Sequence, residues 1–232
     1  MTSPKLQLTI VCLSVFFCGL IAQTLPEQIY INDNGIMHWT ADKKEVQGFG
    51  VNYTLPFAHE YRMAKKSGIS LEEAIKQDVY HMARLDLDLY RVHVWDTEIS
   101  DTAGNLINND HLKLFDFAIN EMKKRGIRFI ITPIAYWGNG WPERDEPTPG
   151  FSQKYGKDAC LTNADAIKAQ ENYLNQFLKH VNPYTGIAYK AEPHVIGFEI
   201  CKTHLPVKSN TSADFIFNLL SIFNVPSEIF VG

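Results

Sequence analysis

The sequence predicts an α/β fold, an incomplete (β/α)8 TIM barrel of four strands preceded by a small β-hairpin. Three observations carry this reading. Strand-like apolar runs alternate with segments of helical periodicity, the pattern of a parallel sheet with right-handed crossovers, either doubly wound or half of a barrel. No glycine-rich phosphate loop follows any strand, which favours the barrel over a nucleotide-binding sheet. Polar and aromatic residues gather instead after the carboxyl ends of the strands, where barrel enzymes keep their sites.

The elements follow in order. Ile29 to Asn32 and Ile36 to Trp39 flank Asp33-Asn34-Gly35, and Asn-Gly between two strand-like runs signals a hairpin. Gln47 to Tyr53 reads as the first sheet strand, with Gly48 and Gly50 permitting close approach of a neighbouring backbone. Ser70 with Glu73 forms a capping box for a helix over Leu71 to Leu85. In the strand from Leu89 to Val94, alternation puts Arg91 and His93, then Trp95, on one face and Tyr90, Val92 and Val94 on the other. A polar loop from Asp96 to Asn109 leads to a helix from Asp110 to Arg125, stopped by Gly126. Arg128 to Ile134 is the third strand, and Ala135 to Leu161 reads as a long loop rich in Gly, Pro and aromatic residues. Thr162 is the expected cap of a helix running to Val181, after which Tyr184 to Pro193 leads to the apolar run from Val195 to Glu199.

The whole chain has 232 residues, 45% hydrophobic and 21% charged, enough for one large domain with a core. A net charge of -4 offers no basic stripe, which argues against a nucleic-acid partner. Residues 1–22 have the layout of a secretory signal: Lys5, an apolar segment from Leu8 to Leu20, and a cut expected after Ala22. That segment falls short of the roughly 20 apolar residues a membrane span needs, and an uncleaved anchor is the alternative. Beyond this leader no membrane contact is expected, and the product is expected to be secreted, periplasmic or held at the cell surface. Cys12 and Cys18 lie in the leader, so Cys160 and Cys201 remain, permitting one disulfide and requiring none. No Cys/His spacing suggests zinc, and the loose pair His93 and Asp96 is a weak basis for a metal-dependent hydrolase.

The chemistry gathers at three strand ends. Arg91, His93, Trp95 and Asp96 close the second strand, Tyr136, Trp137 and Trp141 follow the third, and Glu199 closes the fourth. Aromatic rings beside carboxylates suit a sugar, whose C–H faces pack on rings while its hydroxyls need hydrogen-bond partners; the plainer reading is that the rings anchor a loop. Arg91 to Asp96, Ile134 to Pro142, Asn182 to Gly186 and Glu192 to Ile200, in this order and spacing, resemble the first half of a clan A retaining glycoside hydrolase. The greatest similarity is to family 5 catalytic domains of secreted bacterial proteins, of the cellulase and mannanase type, and it covers Gln47 to Cys201.

That resemblance implies β-linked oligo- or polysaccharide substrates, no cofactor, and two glutamates acting by double displacement, about 5 Å apart. It also implies a binding set of Arg91, His93, Trp95, Asp96, Tyr136, Trp137, Trp141 and Glu199. The family's acid is the Glu of an Asn-Glu-Pro after the fourth strand. Here Lys202, Thr203 and His204 stand at those positions, so Thr203 occupies the acid/base place. Glu199, four residues earlier on the same strand face, is expected to be structural and to approach Arg91, since alternate strands fill one barrel layer.

The expected organisation is therefore a signal at 1–22, a hairpin and lead-in at 23–45, a half barrel at 46–201 and a non-homologous tail at 202–232. The resemblance stops within a residue of Cys201, which points to a frame change or truncated gene model and to an inactive polypeptide lacking both catalytic glutamates; the alternatives are an inactive paralogue with a natural short tail and a non-catalytic secreted half-barrel that keeps the half-site for binding carbohydrate. Loss of two bases from codons for Asn-Glu-Pro-Ile-Tyr can yield Lys-Thr-His-Leu-Pro, residues 202–206. Open sheet edges suggest marginal stability and self-association, with Phe215, Ile216, Leu219, Leu220, Ile222 and Phe223 as an amphipathic helix expected to patch the open core in part.

Overall fold

A computed structural model of the protein describes residues 29–135 and 150–199. The leader, the tail from residue 200 onward, and the positions of Tyr136, Trp137, Trp141 and Thr203 lie outside the described residues.

The hairpin forms as its sequence requires. Strand β1 (Ile29–Ile31) pairs antiparallel with β2 (Met37–Trp39). The Asn32 carboxamide oxygen closes the turn by accepting from the backbone N–H groups of Asn34 and Ile36, each at 3.0 Å.

The main sheet has four parallel strands in the order of the chain: β3 (Gly50–Asn52), β4 (Leu89–His93), β5 (Arg128–Thr132) and β6 (Val195–Phe198). Sequential order without interleaving is what a sheet curling toward a barrel requires, whereas a doubly wound sheet reverses partway. The first strand is shorter than its sequence pattern, yet the flanking ladder persists through Asp88 N–H to Phe49 O and Tyr53 N–H to Arg91 O. A Cβ on Gly50 would sit 2.0 Å from the Leu89 carbonyl oxygen, so only glycine lets the two backbones meet there.

Helix α1 (Ala58–Lys66) was not expected from periodicity. Its buried face is Ala58, Tyr61 and Arg62, and a charged residue hides the apolar stripe from a count of hydrophobics. Arg62 is buried because its Nη2 lies 2.8 Å from Glu98 Oε1. Helix α2 (Leu71–Arg84) starts as predicted, with Ser70 Oγ accepting from Glu73 N–H.

The expected polar loop after β4 opens instead with a single turn of helix, α3 (Asp96–Ile99), too short for any period to reveal. Helix α4 (Asp110–Lys123) is capped by Asn109, whose Oδ1 accepts from Leu112 N–H. The segment read as loop up to Leu161 contains helix α5 (Phe151–Thr162), kinked at Gly156; only Phe151 and Cys160 are buried in it, so it shows no stripe. Thr162 belongs to α5, where its hydroxyl donates to Asp158 O at 2.9 Å. The true cap of α6 (Ala164–Lys179) is Asn163, whose Oδ1 accepts from the N–H groups of Asp165 and Ala166.

Tyr90, Val92 and Val94 of the β4 segment are fully buried with Phe129 and Ile131 of β5, forming with Phe115, Phe177 and Tyr189 the core between sheet and helices. The opposite face of β4 carries Arg91 and His93, only half-buried. Among the described residues no helix is long and apolar enough to cross a membrane.

Candidate functional site

Four strands deliver the polar cluster. In parallel register Asn52 of β3 lies beside Arg91 of β4, and His93 lies beside Thr132 of β5. The ladder extends one residue past β6 through Glu199 N–H to Ile131 O, at 2.9 Å, which holds Glu199 against the end of β5. Arg91 and Glu199 come from strands two apart in the sheet, and their side chains meet as the sequence predicts.

Arg91 Nε donates to Glu199 Oε2 at 3.0 Å, Nη2 contacts the same oxygen, and Nη1 donates to Asn52 Oδ1 at 3.1 Å. Thr132 Oγ1 also donates to Glu199 Oε2. Burial pushes the Glu199 carboxyl up. The hydrogen bonds from Thr132 and Arg91, with the charges of Arg91 and His93, outweigh that and hold it below the usual glutamate range. A carboxylate kept ionised in this way orients an arginine well and is a poor proton donor.

Thr132 and Asn52 were missed from the sequence. Each is a polar residue ending a strand, so the rule that found Arg91 could have found them, but neither is charged or aromatic and both read as ordinary strand-end residues.

The remaining predicted residues separate. His93 shares the half-buried face with Arg91. Trp95 follows the strand and is buried, with 4% of its surface exposed. Asp96, expected to face a ligand, is 1% exposed. Its carboxyl accepts from the Ser152 hydroxyl and the Ala135 N–H, which makes it part of the protein's interior. Burial, with the charge of Glu98, raises it to about 7 against those two donors and its own backbone N–H. The two carboxyls thus differ in opposite ways. Glu199 is reachable but held ionised, while Asp96 readily keeps a proton but is sealed from solvent.

The fold and part of the sequence have relatives. No family model matches the chain. A putative mannan endo-1,4-beta-mannosidase 5 from rice, Oryza sativa subsp. japonica, is 27% identical over 90 residues, which span 38% of this chain and 18% of that protein. Among solved structures, the endo-1,4-beta-mannanase of Rhizomucor miehei superposes with a TM-score of 0.55 at 21% identity, over 80% of this chain and 55% of that one. The hyperthermostable endo-1,4-beta-D-mannanase of Thermotoga petrophila gives 0.57 at 16% identity, with the same coverage of 80% and 55%. A mutant glycoside hydrolase family 5 mannosidase of Rhizomucor miehei, in complex with mannosyl-fructose, gives 0.56 at 14% identity over 84% and 52%. The chain therefore spans about half the length of these structures and less than a fifth of the rice protein. The resemblance to family 5 glycoside hydrolases seen in the strand-end motifs is shared by the fold.

Proposed function

We propose that this chain is half of a family 5-like (β/α)8 glycoside hydrolase barrel, that its strand ends bind β-linked glycans of the mannan class, and that this polypeptide does not itself cleave them. The observation that carries the reading is the Arg91, Glu199, Thr132 and Asn52 cluster at the ends of adjacent parallel strands, beside the half-buried His93. A guanidinium fixed on two sides by acceptors is a rigid donor set for sugar hydroxyls, and mannan-degrading relatives share the scaffold.

Hydrolysis with retention needs one protonated carboxyl and a second carboxylate about 5 Å away. Among the described residues Glu199 is committed to Arg91 and Asp96 is enclosed. Thr203, at the place the family resemblance gives to the acid, bears a hydroxyl that cannot supply the proton, and general acid help is typically worth a factor of about 10²–10⁴. We further read residues 1–22 as a leader for secretion and residues 202–232 as the product of a frame change.

The experiment pairs two measurements on the expressed chain. Tryptophan fluorescence during titration with manno-oligosaccharides is expected to change at millimolar ligand or below, while reducing-sugar release from mannan stays at background. No fluorescence change would remove the binding reading, and sustained hydrolysis would remove the inactive one. Sequencing the DNA past codon 201 tests the tail: a second frame encoding Asn-Glu-Pro and further strand-helix units is expected, and its absence overturns the frame change.

A further inference from the structure

A groove of about 350 Å³ lies on α6 and the loop before α4, lined by Leu106, Asn175, Gln176, Lys179 and His180. It sits where α6 finishes, whereas Arg91 and Glu199 stand at the carboxyl ends of the strands. One wall is the loop itself. A Cβ on Gly104 would stand 1.8 Å from the Ala169 carbonyl oxygen, so loop backbone packs directly on helix backbone. Asn172 Nδ2 donates to Ala103 O at 3.1 Å and to Asn105 Oδ1 at 3.0 Å, and Gln176 Oε1 accepts from Leu106 N–H at 3.2 Å. The wall is therefore set before any ligand arrives.

Across from it stands an imidazole in a fixed orientation. His180 Nε2 lies 3.1 and 2.9 Å from the two oxygens of Asp116, whose carboxylate also accepts from the Tyr189 hydroxyl. A carboxylate so placed accepts Nε2–H, which fixes the tautomer of the neutral ring and leaves a lone pair on Nδ1. Among the described residues Nδ1 has no partner, and the side chain is 18% exposed. The Asn175 amide and the Lys179 ammonium, both on exposed residues of α6, likewise have no partner among the described residues.

We propose that this groove is a second saccharide site, remote from the strand ends, in which His180 Nδ1 accepts from a sugar hydroxyl while Asn175 and Lys179 donate to neighbouring sugar oxygens. A sugar carries donors, acceptors and C–H faces together. The groove supplies a fixed acceptor, two donors and the apolar Leu106 to meet them. A fully ionised oxyanion is the poorer match. It brings no hydrogen to Nδ1, and the positive charge of Lys179 is countered by the Asp116 carboxylate behind the imidazole. The volume is near the low end of the range of about 300–1,000 Å³ for small-molecule sites, which suits a short saccharide. That the saccharide is of the mannan class rests on the functional reading above; the polyol chemistry of the groove does not.

Nitrogen NMR of the histidine rings in the full chain tests this, with mannotriose as one titrant and inorganic phosphate as the other. The His180 Nδ1 resonance is expected to move with mannotriose and to stay still with phosphate. Lys179→Ala and Asn175→Ala, both at exposed positions, should each weaken that response about fivefold, the loss of one hydrogen bond. Both variants should leave the tryptophan fluorescence titration as in wild type. A response to phosphate alone would make this an oxyanion site and overturn the proposal. So would a still His180 at roughly 50 mM mannotriose, well above a weak millimolar Kd, or a response undiminished in both variants. Movement of His180 with silent tryptophans keeps the groove and removes the strand-end reading; responding tryptophans beside a still His180 do the reverse.

Discussion

At the carboxyl end of the strands Glu199 meets Arg91 with side chains 34% and 27% exposed, whereas at the amino end two other carboxylates are enclosed. Asp116 of α4, 2% exposed, accepts from the Tyr189 hydroxyl at 2.6 Å and lies 2.9 Å from His180 Nε2. Glu192, 4% exposed, is gripped by Lys123 Nζ at 3.0 Å from each oxygen and accepts from the His194 N–H at 3.2 Å. The same chemistry serves two ends. Where helices return into strands the carboxylates pin α4, α6 and the lead-in to β6 together; where the strands end, the carboxylate is left within reach of water. The difference teaches that partner number alone does not tell the two ends apart, since Asp116, Glu192 and Glu199 are all well bonded. Exposure at a strand's carboxyl end separates them.

The comparison can be broken by mutation. Asp116→Ala should show the largest loss, about 2–4 kcal/mol in urea unfolding, because the fully buried Tyr189 hydroxyl is left without its acceptor. A loss no larger than that of Glu199→Ala would erase the distinction between the ends.

Glu192→Gln should cost about 1–3 kcal/mol at neutral pH. Burial raises the Glu192 carboxyl, but the bonds from His194 and Lys123 prevail and hold it below the ordinary value. A depressed carboxylate contributes stability that is present above its unfolded pKa and disappears as pH falls through the folded one. Wild-type melting temperature should therefore drop on acidification below about pH 4.3, and the Glu192→Gln curve should be flatter there.

Asn163→Ala, at the start of α6 and outside both clusters, supplies a scale. Losing a cap that serves two N–H groups should lower stability by about 1 kcal/mol in the same urea series.

Glu199→Gln is expected to be smallest in stability, under about 1 kcal/mol, since its pair with Arg91 is partly screened by solvent. Its effect should appear in the manno-oligosaccharide titration instead, where a looser Arg91 weakens binding. A large stability loss with unchanged binding would move Glu199 into the same structural class as Asp116.

Much of this was legible in the chain. Alternation alone assigned Arg91 and His93 to one face of β4 and Tyr90, Val92 and Val94 to the other, because successive strand residues must point oppositely. The approach of Arg91 to Glu199 followed from strand order, since strands two apart fill a shared layer. Ser70 and Asn34-Gly35 announced their cap and turn through local bonds that need no tertiary partner.

What the tertiary structure decided was the fate of groups whose environment comes from distant residues. Arg62 is in the core only because Glu98, thirty-six positions away in sequence, meets it there. Helix α5 shows no stripe because only Phe151 and Cys160 are buried in it, Phe151 against the ring of Tyr173 from α6. Asp96 looked like a ligand-facing carboxylate by its place after a strand, yet Ala135 and Ser152 draw it inward. Local sequence specifies dihedral preference and face; burial and charge state depend on which remote donors and acceptors arrive, and only the packed chain brings them together.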